Sequence, residues 1–401
     1  MISKFYGWSF DDFMKTLGNG YPMFSHFSQT IQDQDWHQEG DLKTHTNMVL
    51  SEVYLIIDKE KMTESEQNIL ILAALFHDYG KPIVTQNKEK NGEWRIVAPR
   101  HEEIGASLLF HLSSPLNISS SDWFDVIRLV AYHDMPKKLI IKNKDKKDFH
   151  LLSRHVSSLK LLYWLELADM RGRYCNDKHE QLELLELFKY QLEEYDLWAN
   201  KPYCSFKDEI KEYFNLLGSD THDRVFFQAI YNYEQGIIHM LEEELSRAYS
   251  YKDKQAHLVI LCGVSSSGKS TFIQKNLKDY RLISLDLIRE EYFGNRCNQK
   301  NNNEVRRIAS DILKESLRNK EKVVWDATNI RRDFRSKIAT MGFNYGAFVE
   351  LVVLQKNIND LIKDNKTRHH SVLPEIIQEQ VKKFQMPYEN EAHKTTWVFN
   401  N

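Results

Sequence analysis

Apolar positions recur at spacings of three and four through most of the stretch from about Trp36 to Leu245, in SEVYLIID, QNILILAALFHD, FDVIRLVAYHD, LKLLYWLELAD and LELLELFKYQLEEY. This is the rhythm of helices that bury one face. One interruption, IVTQNKEKNGEWRIV, holds Asn91-Gly92 between extended stretches and predicts a hairpin with a tight turn. Past SYKDKQAH the rhythm changes. HLVILC, RLISLD, KVVWDAT and FVELVVLQ are short runs of the buried-strand type, separated by helical segments. Such alternation predicts a parallel sheet with crossover helices. The expected organisation is an all-α domain with a small hairpin over residues 1–253, then an α/β domain over 254–401. The helical stretch from Cys204 to Tyr251 carries no motif and reads as an extension of the first domain or a connector.

Bulk properties narrow the class without choosing a function. A chain of 401 residues exceeds one ordinary core, and 42% hydrophobic content excludes a disordered protein. The net charge of -3 does not announce a nucleic-acid binder. Cys175, Cys204, Cys262 and Cys297 are widely spaced and read as free thiols of a reducing compartment. The N-terminus lacks a signal-peptide pattern, and the longest apolar run, Ile69–Phe76, is far short of the ~20 residues a membrane span needs. The expectation is a cytoplasmic protein with no membrane partner.

The most specific motif is Gly263-Val-Ser-Ser-Ser-Gly268-Lys269-Ser270, between the strand HLVILC and the helix STFIQKNLKDY. Its glycines let backbone N–H groups turn onto phosphate oxygens, and the helix N-terminus adds positive potential. Nucleotide contacts are expected from Gly263, Ser265, Ser266, Ser267, Gly268, Lys269, Ser270 and Thr271. Lys269 would reach the β- and γ-phosphates of ATP or another NTP, and Ser270 would ligate Mg²⁺. Asp286 ends the next strand, with Arg289 one turn on. A carboxylate there could accept a proton from an attacking hydroxyl, or simply cap a helix. Asp326 in VVWDATN occupies a Walker-B-like position. Arg368, in a basic segment before a helix opening near Pro374, is a candidate lid cation or an ordinary surface charge.

The helical half carries a different set: His45, the doublet His77-Asp78 before Gly80-Lys81-Pro82, His101, His133 and Asp169. Imidazole and carboxylate suit first-row divalent metals, and a bundle can converge such residues on one cavity. A lone helical histidine is more often packed or exposed than a ligand, so the ordered series carries the reading. Lys81, beside the doublet, would hold a phosphate. His37 and Asp134, next to motif residues, are left out of the set.

The C-terminal motifs resemble the polynucleotide 5′-kinase family over roughly the last 145 residues. The resemblance implies that Asp286 is the general base on a 5′-hydroxyl, that Arg289 contacts the acceptor's phosphate, and that Arg368 is the lid arginine. Where family lids often carry a second arginine, this chain has Lys363-Asp364. EGDLKTHT, LFHDYGKP and LADMRGR resemble the HD superfamily of metal phosphohydrolases. That likeness implies one metal on His45, His77, Asp78 and Asp169, and a second on His101 and His133 with Asp78 bridging. The ions would be Mn, Ni, Co, Cu, Zn or Fe.

The combination resembles the bacterial HD-Pnk type of end-healing enzyme. It implies phosphate transfer to 5′-OH ends of RNA or DNA and hydrolysis of 2′,3′-cyclic, 2′- or 3′-phosphate ends, with a ligase acting downstream. Three other readings stay open: a small-molecule or nucleoside kinase fused to an HD nucleotidase or phosphodiesterase, a nucleotide-sensing module without turnover, and an HD nuclease.

Overall fold

The computed structural model describes residues 2–116, 118–215, 218–251, 254–296, 300–368 and 370–399. Cys297 lies outside the described residues, and Cys175, Cys204 and Cys262 form no disulfide. The chain divides into two compact units, Met1–Pro202 and Tyr203–Asn401.

The first unit is helical: α1 (Phe10–Leu17), α2 (Leu42–Lys59), α3 (Glu64–Phe76), α4 (Lys81–Val84), α5 (His101–Leu109), α6 (Ser120–Tyr132), α7 (Met135–Ile141), α8 (Lys146–His155), α9 (Leu159–Arg171) and α10 (Lys178–Glu194). Between α4 and α5 an antiparallel pair, β1 (Gln86–Lys90) and β2 (Glu93–Val97), forms the expected hairpin. Asn91 and Gly92 both have positive φ, 53° and 86°, as a primed turn requires. Helix α3 is the centre of this unit. A capping box of Thr63 and Glu66 starts it, and every residue from Gln67 to Phe76 is buried. A helix apolar on all sides must be surrounded, and α3 packs against α2, α6 and α9. Its C-terminal end, at His77, is therefore deep inside the protein.

The second unit opens with α11 (Cys204–Tyr213), α12 (Ser219–Glu234) and α13 (Leu241–Ala248). The α/β part follows as β3 (His257–Cys262), α14 (Lys269–Asn276), β4 (Arg281–Ser284), α15 (Leu285–Phe293), α16 (Asn302–Arg318), β5 (Lys322–Asp326), α17 (Arg332–Asn344), β6 (Phe348–Gln355), α18 (Ile358–Thr367), α19 (Pro374–Lys383) and β7 (Lys394–Phe399). The sheet has strand order β4-β5-β3-β6-β7, with every pairing parallel.

Two features go beyond the sequence reading. A fifth strand, β7, adds beside β6. The helices α11–α13, which the sequence reading attached to residues 1–253, fall within the second unit. The reason is side-chain packing: Tyr231 of α12 stacks on Phe343 at 4.9 Å and meets His393 edge-on at 4.8 Å. Gln228 accepts from Gln255, just ahead of β3.

No described helix is long and apolar enough to cross a membrane.

Candidate functional sites

In the first unit the convergence begins at helix ends. His77 follows the last residue of α3, and its Nδ1 lies 2.7 Å from the carbonyl of Ala74. His133 ends α6 in the same way, 2.8 Å from Val130 O. Those carbonyls lack helical partners, so each histidine satisfies one and is oriented by it. His101 opens α5 with its Nδ1 3.0 Å from Ala98 O. In all three the engaged Nδ1 turns Nε2 inward. The C-termini of α3 and α6 also bring negative potential, which favours a cation.

His45 Nε2 lies 3.3 Å from His77 Nε2, 3.0 Å from Asp169 Oδ1 and 3.8 Å from Asp78 Oδ2. His77 Nε2 is 3.1 Å from Asp78 Oδ2 and 3.9 Å from Asp169 Oδ1. Donors held ~2.1 Å from one ion stand roughly 3.0–3.4 Å apart as neighbours, and ligand atoms of His45, His77 and Asp78 all lie within 4.8 Å of one another, with Asp169 beside both histidines. On the other side, Asp78 Oδ1 is 3.1 Å from His101 Nε2, which is 3.3 Å from His133 Nε2. The two oxygens of Asp78 thus face two separate donor groups. Both histidine pairs bring their Nε2 atoms to 3.3 Å from each other, a spacing that suits two donors to one positive charge. This chemistry fits divalent metals at both positions.

Charges around the cluster are arranged to keep the carboxylates ionised. Burial alone would push the Asp78 carboxyl up, but His77 and Lys81 outweigh it and hold it well below the usual range. Asp169 behaves likewise, with Arg173 the main opposing charge. Lys81 Nζ is 2.7 Å from Asp78 Oδ2 and donates to Gln32 at 2.6 Å. Arg173 donates to Asp169. Burial would lower the His45 pKa, but Asp169 and Glu39 raise it. One turn before Asp169, Glu166 is fully buried beside Lys137 Nζ at 2.7 Å, and burial raises its pKa.

Sequence reasoning missed Glu39, Arg173, Gln32 and Lys137. The first two lie inside the motifs EGDLKTHT and LADMRGR, which was the available signal. Asp134 and His37, left out earlier, sit at the margin: Asp134 pairs with Lys138 at 3.1 Å, and His37 with Glu39 at 2.8 Å.

In the second unit the loop between β3 and α14 folds back on the side chain of Lys269. Gly268 heads α14 at φ 95°, and a side chain on Gly263 would meet Ser267 Oγ at 2.5 Å. Lys269 Nζ donates to the carbonyls of Gly263 and Val264, both at 2.9 Å. Burial lowers its pKa, and Asp326 opposes the shift. Ser270 and Thr271 face solvent at the mouth of the loop. Ser265 N donates to Gln380 of α19 at 2.7 Å, and Arg368 Nη1 reaches Ser266 Oγ at 3.3 Å. Gln380 of α19 and Arg368, just past α18, thus touch the loop. Asp364, at the position where a lid arginine is absent, pairs with Lys356.

Asp326 ends β5 directly opposite Ser284 of β4, whose hydroxyl donates to it at 3.2 Å. Burial raises the Asp326 pKa, with Lys269 opposing. Asp286 is not a helix cap, since Ser284 holds that position and Asp286 lies inside α15. Its side chain is 62% exposed and takes a 2.6 Å ion pair from Arg289, which is itself 10% exposed. Arg289 also donates to Asn302 at 3.0 Å. The structure thus sets Arg289 against Asp286 more than toward open space.

An HD domain family model matches residues 43–157, and an AAA domain family model matches residues 258–390. The chain joins an HD domain to a P-loop kinase-like domain. No curated protein matches it. Among solved structures it is similar to a gluconokinase from Sinorhizobium meliloti 1021, at 20% identity over 36% of this chain and 83% of that one, with a TM-score of 0.27. The two domain matches point to an enzyme of the kinase and phosphohydrolase classes, with nucleotide and Mg²⁺ at one site and divalent metal at the other.

Proposed function

We propose that the protein heals nucleic-acid ends: the second unit moves the γ-phosphate of an NTP to a 5′-hydroxyl, and the first hydrolyses a 2′,3′-cyclic, 2′- or 3′-phosphate. The observation that carries the reading is the presence, beside the two-sided Asp78 cluster of the first unit, of a P-loop unit in which the first turn of α15, just past β4, presents Asp286, exposed yet fixed by Arg289. An exposed acceptor side suits the end of a polymer.

At the kinase site Lys269 and the loop amides hold the triphosphate, and Asp286 takes the proton of the attacking hydroxyl. Arg289 keeps that carboxylate aimed, and Arg368 carries positive charge over the transferring group. At the HD site, His45, His77, Asp78 and Asp169 would hold one metal, and His101 and His133 with Asp78 a second. Bound there, divalent metal activates water and offsets phosphate charge. Lys81 and Arg173 add positive charge beside the carboxylates, where a phosphate ester would sit.

The test is an oligonucleotide with a 5′-OH and a 3′-phosphate, incubated with ATP and a panel of divalent metals, with both ends scored. Asp286→Asn should lower 5′-phosphorylation by about 10²–10⁴-fold and leave 3′ hydrolysis intact. Asp78→Asn should do the reverse. Phosphorylation of nucleosides or sugars with none of the oligonucleotide would replace this reading by the small-molecule kinase. Loss of both activities in either variant would contradict separate active sites.

A further inference from the structure

Three of the inward-facing histidines are oriented by neutral backbone carbonyls: Ala74 O for His77, Ala98 O for His101 and Val130 O for His133. His45 is the exception. It lies in the first turn of α2, where side chains lean toward the helix N-terminus and the carbonyls point the other way. The carbonyl three residues back, Leu42 O, already accepts from the Thr46 hydroxyl at 2.8 Å. What lies against His45 Nδ1 instead is a carboxylate, Glu39 Oε1, at 3.0 Å, an ion-pair contact rather than an aligned hydrogen bond. The Glu39 side chain is 1% exposed and tied from three directions. Oε1 also takes His37 Nδ1 at 2.8 Å, and Oε2 takes the backbone N–H of Tyr174 at 2.9 Å. Tyr174 stands beside Arg173, which holds Asp169. One buried carboxylate therefore links the α2 ligand to the segment that braces the α9 ligand, across the 3.0 Å gap between His45 Nε2 and Asp169 Oδ1.

We propose that Glu39 is the positioning residue of the HD site: its carboxylate, lying against Nδ1, holds the His45 ring so that Nε2 is left as a donor beside Asp169 and His77. The inference rests on the metal-binding reading above. It predicts an asymmetry between the two donor groups. Loss of the carboxylate weakens the position built on His45, His77, Asp78 and Asp169, and spares the one built on His101 and His133, whose orienting carbonyls are untouched.

The experiment uses the full chain, stripped of metal by a chelator and titrated with Co²⁺, with affinity read by competition against a chromophoric chelator and geometry by the ligand-field spectrum. Glu39→Gln keeps the size of the side chain and removes its charge. The expected result is a 10- to 100-fold weaker first Co²⁺, an altered ligand-field band, an unchanged second Co²⁺ and an unchanged metal-free unfolding midpoint. His37→Phe, which removes a neighbour of Glu39 but not its contact with His45, should change the first affinity by less than about threefold. Equal Co²⁺ affinity in Glu39→Gln and wild type would overturn the proposal. So would a Glu39→Gln chain whose metal-free midpoint falls along with both affinities, because Glu39 would then be holding the fold rather than a ligand. A wild-type chain that takes up no Co²⁺ would instead sink the metal reading itself.

Discussion

Glu391→Ala should damage the P-loop unit far more than its place near the end of the chain suggests. Glu391 receives Arg335 Nε at 2.6 Å and Nη2 at 2.9 Å, and the two side chains are 8% and 1% exposed. The third guanidinium nitrogen donates to the carbonyl of Asn329 at 3.1 Å. Asn329, held at φ 45°, donates through its side chain to Leu261 O of β3 at 2.7 Å, and Gly263 N donates to the adjacent Thr328 O at 2.9 Å. The ion pair thus pins the loop after β5 to the start of the phosphate loop. Removing one partner leaves a buried guanidinium uncompensated, a loss of about 3–5 kcal/mol. Glu391 Oε1 also accepts from Tyr388 N at 2.9 Å, which places the loss toward the upper end. Such a loss raises the open population roughly a hundred- to several-thousand-fold. Hydrogen-exchange mass spectrometry reads this locally: peptides over β3, β5 and the loop at 327–330 should exchange faster by that factor, while peptides of α3 and α9 report the other unit. The double variant Arg335→Met with Glu391→Met should recover most of the loss, because no buried charge is left unpaired. Acceleration below about tenfold in Glu391→Ala, the behaviour of an exposed pair, would refute the reasoning.

Two further outcomes follow from packing and from titration. At Gly80→Ala a new Cβ would lie 2.2 Å from His101 O and 2.7 Å from Gly105 N, both backbone. The α5 start must move, so thermal denaturation should show a loss of about 1–3 kcal/mol, and the Co²⁺ position that uses His101 should weaken; an unshifted midpoint would mean the two segments yield freely. His393 is buried, which pushes its pKa down to about 3 with a further push from His257, and its Nδ1 accepts from Val349 N at 3.0 Å. The unfolded chain takes up that proton near pH ~6.5 while the folded one refuses it, so this group's contribution falls as pH drops from about 6.5 toward 3, by up to about 1.4 kcal/mol per pH unit. His393→Gln should flatten that slope when denaturant midpoints are compared between about pH 7 and about pH 5, and an identical slope would show that His393 is not the titrating group.

Periodicity exposed the α/β half through its four apolar strands and missed β7. The segment KTTWVF lies at one end of the strand order and is half-buried throughout, so it lacks the continuous apolar run that betrays an inner strand. The border between units was also illegible. Helices α11–α13 are amphipathic in the ordinary way, and contacts such as Tyr231 stacked on Phe343 and edge-on to His393, far away in sequence, decide which unit they join. Local pattern reports that a face is buried, not against what.

The site residues divide along the same physical line. His77-Asp78 and the GKP segment stood out because an apolar helix buried on all sides ends in two polar, titratable groups, a placement that costs energy unless something pairs with them. The bracing role of the neighbouring cations did not stand out, since Lys81 read as a phosphate holder and Arg173 was missed. Lys81 follows Asp78 by three residues and Arg173 follows Asp169 by four, and on most helices such spacings mark exposed pairs worth a few tenths of a kcal/mol. Here the same spelling is buried, with both aspartates 2% exposed, and the cations outweigh burial to keep two carboxylates ionised within 3.9 Å of two imidazoles. What separates a surface pair from a ligand brace is the dielectric around it, and that is set by helices packed from elsewhere in the chain. The same holds for Glu39: three residues before the start of α2 it reads as an acid at a helix N-terminus, and only folding brings Tyr174 N and His45 Nδ1 to its two oxygens.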